Sequence, residues 1–302
     1  MFFKNSNKLN VVFLTIFSTF SAAIMATGVK YLSEFLNPIM IGFYRCFIGL
    51  IIIIPFILRN KFEAVKTKNL KLHFLRSLIN VISLIAWFSA IGLLFLEKAT
   101  ALGFTTPLFT TILAVLLLGE IIRIHRIAAL LLGFIGVIII VRPGIISFDY
   151  GTILILVGAI TFSFVLIIVK KLSATESSIT ITFYHLFFCT PILFIISLFF
   201  WQNINLNHLF IFIIMAISGL IAHWCLAQSL KLSDATFVMP LQFSKLIWAS
   251  SIGFYFFNEV PDLWTWIGSV IIFSSVIYIT YRESFVKQNN LKVKQIDRAI
   301  IE

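Results

Sequence analysis

Two short stretches decide how this chain folds: Ala90-Ile-Gly-Leu-Leu-Phe-Leu-Glu-Lys-Ala99 and Ala227-Gln-Ser-Leu-Lys-Leu-Ser-Asp-Ala235. Each sets an Ala, a Leu three residues on, an acidic residue and a second Ala in the same order, with one residue gapped. A long apolar run follows each stretch and closes on a glutamate, Glu120 in the first half and Glu259 in the second. Ala129 and Gly268 stand equally far beyond those glutamates, as do Gly136 and Ser275. Such small residues suit close contact between helices. The chain reads as one unit written twice.

The surrounding composition says what the unit is made of. Of 302 residues, 60% are hydrophobic and 12% charged, and the mean hydropathy is +1.06. A soluble domain of this length needs far more polar surface to cover its core, so lipid must solvate the outside. A spanning helix takes about 20 mostly apolar residues, and ten such blocks follow one another at 9–28, 39–58, 73–95, 100–118, 124–141, 150–169, 178–200, 208–230, 235–257 and 263–281. The pattern predicts an all-α membrane protein of ten transmembrane helices in two five-helix repeats, 9–142 and 150–282, with a charged tail at 283–302. Five is odd, so the second repeat enters the bilayer from the side opposite to the first. Inverted repeats of this kind build many secondary transporters, with the solute site near the midplane where the halves meet.

The net charge of +11 is distributed by loop. With the N-terminus inside, Lys4, Lys8, Arg59, Lys61, Lys66, Lys68, Lys71, Arg123, Arg126, Lys170, Lys171, Lys231, Arg282, Lys287, Lys292, Lys294 and Arg298 fall on the cytoplasmic side, against Lys30, Lys98 and Arg142 opposite. Lys/Arg bias sets orientation, so both termini are expected in the cytoplasm, and the charge marks topology rather than nucleic-acid binding. Lys4 and Lys8 before the first apolar block resemble a signal peptide, but the block is long for an h-region and Ile24 would stand three residues before a cut at Ala26. It reads as a helix. Cys46, Cys189 and Cys225 have no paired spacing and read as packing residues. No His/Cys/Asp/Glu set has metal-ligand spacing, and no GxxxxGK[ST] loop is present. No metal, cofactor or ATP-driven step is therefore expected of this chain.

The stretch Pro107-Leu-Phe-Thr-Thr-Ile-Leu-Ala-Val-Leu-Leu-Leu-Gly119-Glu120, with Leu132-Gly133-Phe-Ile-Gly136 and Arg142-Pro143-Gly144 after it, resembles the EamA domain of the drug/metabolite transporter superfamily. Pro240-Leu-Gln-Phe and Phe257-Asn-Glu259-Val-Pro261-Asp262 resemble its second copy, with Asn258 where the first copy has Gly119. The resemblance runs from about residue 9 to 282 and implies a secondary carrier of the bacterial inner membrane. Superfamily substrates include amino acids, drugs, nucleotide sugars, riboflavin and S-adenosylmethionine. Heavy use of Ile, Phe, Lys and Asn looks like the coding bias of small AT-rich genomes, whose members of this group include S-adenosylmethionine importers. Uptake of that solute is therefore the leading expectation, with export of amino acids or drugs as the alternative. Self-association into a homodimer is left open.

Single residues suggest where a solute binds. Lys245 lies about ten residues into the ninth block, near mid-bilayer, where an ionisable group is a functional candidate by default. Gln242 and Trp248 are three residues to either side and share its helix face. An amide, an ammonium and an indole together suit a zwitterionic solute with a ring. Arg45 either binds an anionic group or snorkels to headgroups, and Arg76 is expected to snorkel. Trp87 and Tyr44 are deep aromatics able to stack on a solute. His185 and His223 are mid-span and either titrate or bond a neighbouring helix. Pro107, Pro191 and Pro240 interrupt spans and mark bends. Glu120 and Glu259 are expected to bind the amides that open the next helix, near Ile124 and Leu263. An intramembrane lipid-modifying enzyme would need clustered His/Asp/Glu at a membrane face, and a channel would need a polar pore stripe; the sequence has neither.

Overall fold

The structure is a computed structural model that describes residues 6–59, 65–94, 96–103, 105–120, 122–141, 150–257 and, between 263 and 278, all but 265, 269, 273 and 276. Six helices are long and apolar enough to cross a membrane. They are α1 (Ser6–Leu32), α2 (Pro38–Arg59), α3 (Leu70–Leu93), α7 (Tyr150–Leu172), α8 (Ser178–Ser197, extended by a 3₁₀ turn Leu198–Phe200) and α9 (Leu206–Leu232). The 24 residues of α3 span about 36 Å at 1.5 Å per residue, enough for a hydrocarbon layer of about 30 Å. Pro191 sits inside α8 without ending it, so the expected interruption there is absent. Glu259, the 258–262 segment and the tail after residue 282 lie outside the described residues.

One span read as a single helix is broken: the ninth is α10 (Ala235–Leu241) followed by α11 (Ser244–Phe257). Of the fourth span the structure describes α4 (Leu96–Gly103) and α5 (Thr105–Leu118), with residue 104 outside the described residues. Beyond them lies α6 (Ile124–Val141), and the described residues between 263 and 278 are helical again. Across the break the chain uses tight i→i−3 bonds: the Gln242 N–H donates to the Met239 carbonyl at 3.0 Å and the Lys245 N–H to the Gln242 carbonyl at 3.0 Å. Pro240 stands near the end of α10, just before this break.

Helix contacts map onto themselves when the halves are exchanged. The α1·α9 pair has its mate in α7·α3, α2·α9 in α8·α3, α1·α11 in α7·α5, and α5·α10 in α11·α4, while α2 packs on its own equivalent α8. That last pair is antiparallel. Gly42 of α2 approaches Leu193 of α8, and Gly49 approaches Leu186. Equivalent helices crossing head to tail define an inverted repeat. The small residues noted above tell the same story twice over. The Ser275 hydroxyl donates to the Ala129 carbonyl at 2.6 Å, and a Cβ on Gly136 would stand 2.9 Å from the Gly268 carbonyl oxygen. Because 129 corresponds to 268 and 136 to 275, these are one contact seen from both sides of a pseudo-two-fold axis.

A Lys-x-Leu-Ser corner also repeats, at Lys30–Ser33 and Lys170–Ser173. In both, the serine hydroxyl donates to the lysine carbonyl at 2.7 Å. Lys30 Nζ donates to the Leu94 carbonyl past the end of α3 at 2.8 Å, and Lys170 Nζ to the Leu230 and Ser233 carbonyls at the end of α9. A cation there meets orphan carbonyls and the negative end of the helix. Asn37 and Ser177 then cap α2 and α8, accepting from Ile39 N–H and Thr180 N–H.

Glu120 does not cap the next helix as expected. Its two oxygens accept from the Ala235 and Thr236 amides, each at 3.0 Å, at the start of α10 in the other repeat. Arg126 joins the same corner, with Nη1 3.1 Å from Asp234 Oδ2 and 2.6 Å from Thr236 Oγ1. Thus the first repeat anchors the broken helix of the second. Glu120→Ala should destabilise the fold by about 2–3 kcal/mol, the scale of lost charged hydrogen bonds, and lower the thermal midpoint in detergent micelles. Glu120→Gln, which keeps one acceptor oxygen, should lose less.

Candidate functional site

The α10–α11 break opens onto an internal cavity of about 160 Å³. Met239, Gln242 and Lys245 line it from the break, and Thr100, Gly103, Thr106 and Pro107 from α4 and α5. The remaining wall comes from α1 (Ser18, Ala22, Met25), α2 (Arg45), α3 (Asn80, Ser83, Leu84, Trp87, Phe88), α7 (Gly158, Phe162, Leu166) and α9 (Ala222, His223, Leu226). Pro107 offers no N–H to the Gly103 carbonyl, so that oxygen lacks its helical donor at the cavity wall. The Thr106 carbonyl is met instead by the Ser163 hydroxyl at 3.2 Å, and Ser244 at the start of α11 is bonded to the Thr19 hydroxyl at 2.9 Å.

The electrostatics have one sign. Arg45 and Lys245 both reach the cavity, and among the described residues that line it none is acidic. Lys245 is second in α11, at the positive end of a half-helix, where a cation is disfavoured and an anion is welcome. Its Nζ lies 4.0 Å from the Trp87 ring centroid, a cation–π contact. Arg45 is only 2% exposed and does not snorkel. Its guanidinium points inward against α9, where a Cβ on Gly219 would come within 2.6 Å of Nη2; Nη1 lies 3.7 Å from Cys46 Sγ, a weak contact. A guanidinium held this way can take a carboxylate or phosphate through its free donors.

Five of the eight residues singled out in the sequence therefore meet in one place: Lys245, Gln242, Arg45, Trp87 and His223. His185 stands one layer behind, its ring 4.6 Å from that of His223 and its Nδ1 3.4 Å from both Asn80 Nδ2 and Cys189 Sγ. Trp248, one turn beyond Lys245 in α11, is not among the described lining residues; its ring makes an edge contact with Phe20 of α1 at 5.2 Å. Tyr44 joins an aromatic cluster with Phe43, Trp201 and Phe212. Arg76, expected to snorkel, is buried and donates to the Ile181 carbonyl at 2.8 Å. The reading missed Asn80, Ser18, Ser83, Thr100 and Thr106. Asn80 alone carried a signal, an amide in the middle of an apolar block; hydroxyls inside spans usually bond their own helix, so they do not stand out.

Two inverted helical repeats, a broken helix in the second and a cavity where the two meet are the architecture of a multi-pass carrier. The family comparison agrees, since the EamA-like transporter family model matches residues 9–142 and 149–281. The chain belongs to that family: it is a membrane transporter of small metabolites, not an enzyme. Among curated relatives, an S-adenosylmethionine uptake transporter of Rickettsia bellii is 29% identical over 84% of this chain and 87% of its own length. A riboflavin transporter of Vibrio cholerae is 31% identical over 78% and 80%. A solved crystal structure superposes with a TM-score of 0.73 over 91% of this chain and 96% of its own, at 16% identity, a likeness of fold.

Gly219→Ala tests the placement of Arg45. The new methyl collides with the mobile tip of Arg45 rather than with backbone, so the protein should fold while the guanidinium is pushed aside. Affinity for a carboxylate-bearing solute should fall about tenfold, as for loss of one charged hydrogen bond, with an unchanged elution profile on size exclusion.

Proposed function

We propose that this protein is an alternating-access importer of S-adenosylmethionine in a bacterial inner membrane, with both termini in the cytoplasm. The observation that carries the reading is the cavity itself, which holds two cationic side chains and a half-helix N-terminus with no acidic residue among its described lining. Such a site favours a solute with an anionic group. The carboxylate of S-adenosylmethionine would face Arg45 and Lys245, and its adenine the rings of Trp87, Phe88 and Phe162. Its ammonium and sulfonium would turn toward the Gly103 carbonyl and the Thr100 and Thr106 hydroxyls. The rickettsial relatives named for this solute support the choice. The loop bias of Lys and Arg supports the orientation.

Riboflavin is the second reading, favoured by the 31% identity to the Vibrio cholerae relative. The two differ in charge, because a flavin has no carboxylate to offer Arg45. Proteoliposomes loaded with unlabelled S-adenosylmethionine should accumulate the labelled compound by counterflow, and Lys245→Ala and Arg45→Ala should each slow this at least tenfold. Counterflow of riboflavin in place of S-adenosylmethionine, insensitive to Lys245→Ala, would favour the flavin. Movement of neither would remove both readings.

A further inference from the structure

Lys245 makes a contact that bears on which solutes can enter. Its Nζ sits over the Trp87 ring at 4.0 Å, and among the described residues no carboxylate lies within ion-pair distance of it. Trp87 packs beside two glycines: a Cβ on Gly103 would stand 3.5 Å from its Nε1, and one on Gly158 would stand 3.5 Å from its backbone nitrogen and 3.6 Å from its Cβ. The lysine reaches the indole through a flexible four-carbon stem, and that partner binds cations only through its π face.

We propose that Lys245 guards the stacking face of Trp87, so that the site admits a flat ring only when the same solute brings an anionic group. The anion draws the ammonium off the indole, and the ring takes the vacated face. A neutral flat solute must displace the ammonium with nothing to receive it in a cavity whose described lining residues include no acidic side chain. An anion without a ring moves the lysine but leaves the indole face bare. This deepens the proposed function, on which it rests, by assigning the substrate class: compounds that carry both a planar ring and an anionic group, whatever their net charge. It also makes an unusual demand, since removing the lysine should improve binding of the wrong solutes.

Three probes separate the contributions, measured on purified full-length protein in detergent: S-adenosylmethionine (anion and ring), methionine (anion alone) and adenosine (ring alone). Wild type should bind S-adenosylmethionine more tightly than either fragment. Lys245→Met should weaken S-adenosylmethionine by about tenfold or more and strengthen adenosine by about tenfold, the scale of one desolvated cation–π contact. Lys245→Arg, which keeps the charge, should behave as wild type and shows that the position tolerates substitution. Adding Trp87→Leu to Lys245→Met should erase the gain for adenosine. If Lys245→Met loses S-adenosylmethionine while adenosine binding stays level or falls, the guard is refuted and the cavity reading survives. If all three probes bind Lys245→Met as they bind wild type, the cavity reading fails and takes the guard with it.

Discussion

Within a bilayer no water is at hand to satisfy a broken backbone, so a helix may be interrupted only where protein or a wet cavity takes up the freed groups. The rest of this structure is organised around that constraint. It breaks the helix of the ninth span and places the break against the cavity. It then supports the surrounding backbone from other helices: Ser163 reaches the Thr106 carbonyl, Thr19 holds Ser244, and Glu120 reaches across the repeat boundary to the amides that open α10. What the break provides is a half-helix start deep in the protein. Around it the cationic groups Lys245 and Arg45 would be costly in any site not meant for an anion.

Symmetry gives the same parts a second use. Among the described residues, contacts of one repeat recur in the other, in the Lys-x-Leu-Ser turns and in the crossing of Ala129 with Ser275 and of Gly136 with Gly268. A molecule built from two inverted copies can in principle exchange the conformations of its halves, and the exchanged form opens to the other side of the membrane. The cavity lies where the halves meet, so a bound solute would keep its contacts through the exchange. Arg45 and Lys245 come from different repeats, which gives each half one cation to hold a shared anion.

Much of this was legible in the sequence because apolar length and residue order survive without knowledge of contacts. The ten blocks, the repeat and the matched small residues follow from counting, and Lys245 follows from its cost at mid-bilayer. The break was harder to see. Phe243 is an apolar residue in an apolar run, and Pro240 stands three residues before it. The spacing that put Gln242 and Lys245 on one face runs across the break, yet both line the cavity. Trp248 shares the continuous α11 with Lys245, and its packing against Phe20 of α1 is a tertiary contact that spacing does not show. The partner of Glu120 was out of reach for another reason: a glutamate at a helix end announces that it binds amides, but which helix supplies them depends on packing between repeats. Asn37 and Ser177 as caps, and the Lys30 and Lys170 corners, were readable in principle by setting residue 30 beside residue 170.

The central claim is that the two repeats, through α5 and the α10–α11 break, form one solute site reached from alternating sides. It is tested most directly by single cysteines at Thr106 and Gln242 in a chain freed of Cys46, Cys189 and Cys225, labelled in oriented vesicles with a membrane-impermeant thiol reagent. The account predicts that each site is labelled from both sides of the membrane, and that saturating S-adenosylmethionine protects the two together. Labelling of one cysteine from one side only and of the other from the opposite side only, with no protection at either in a variant that still transports, would contradict it.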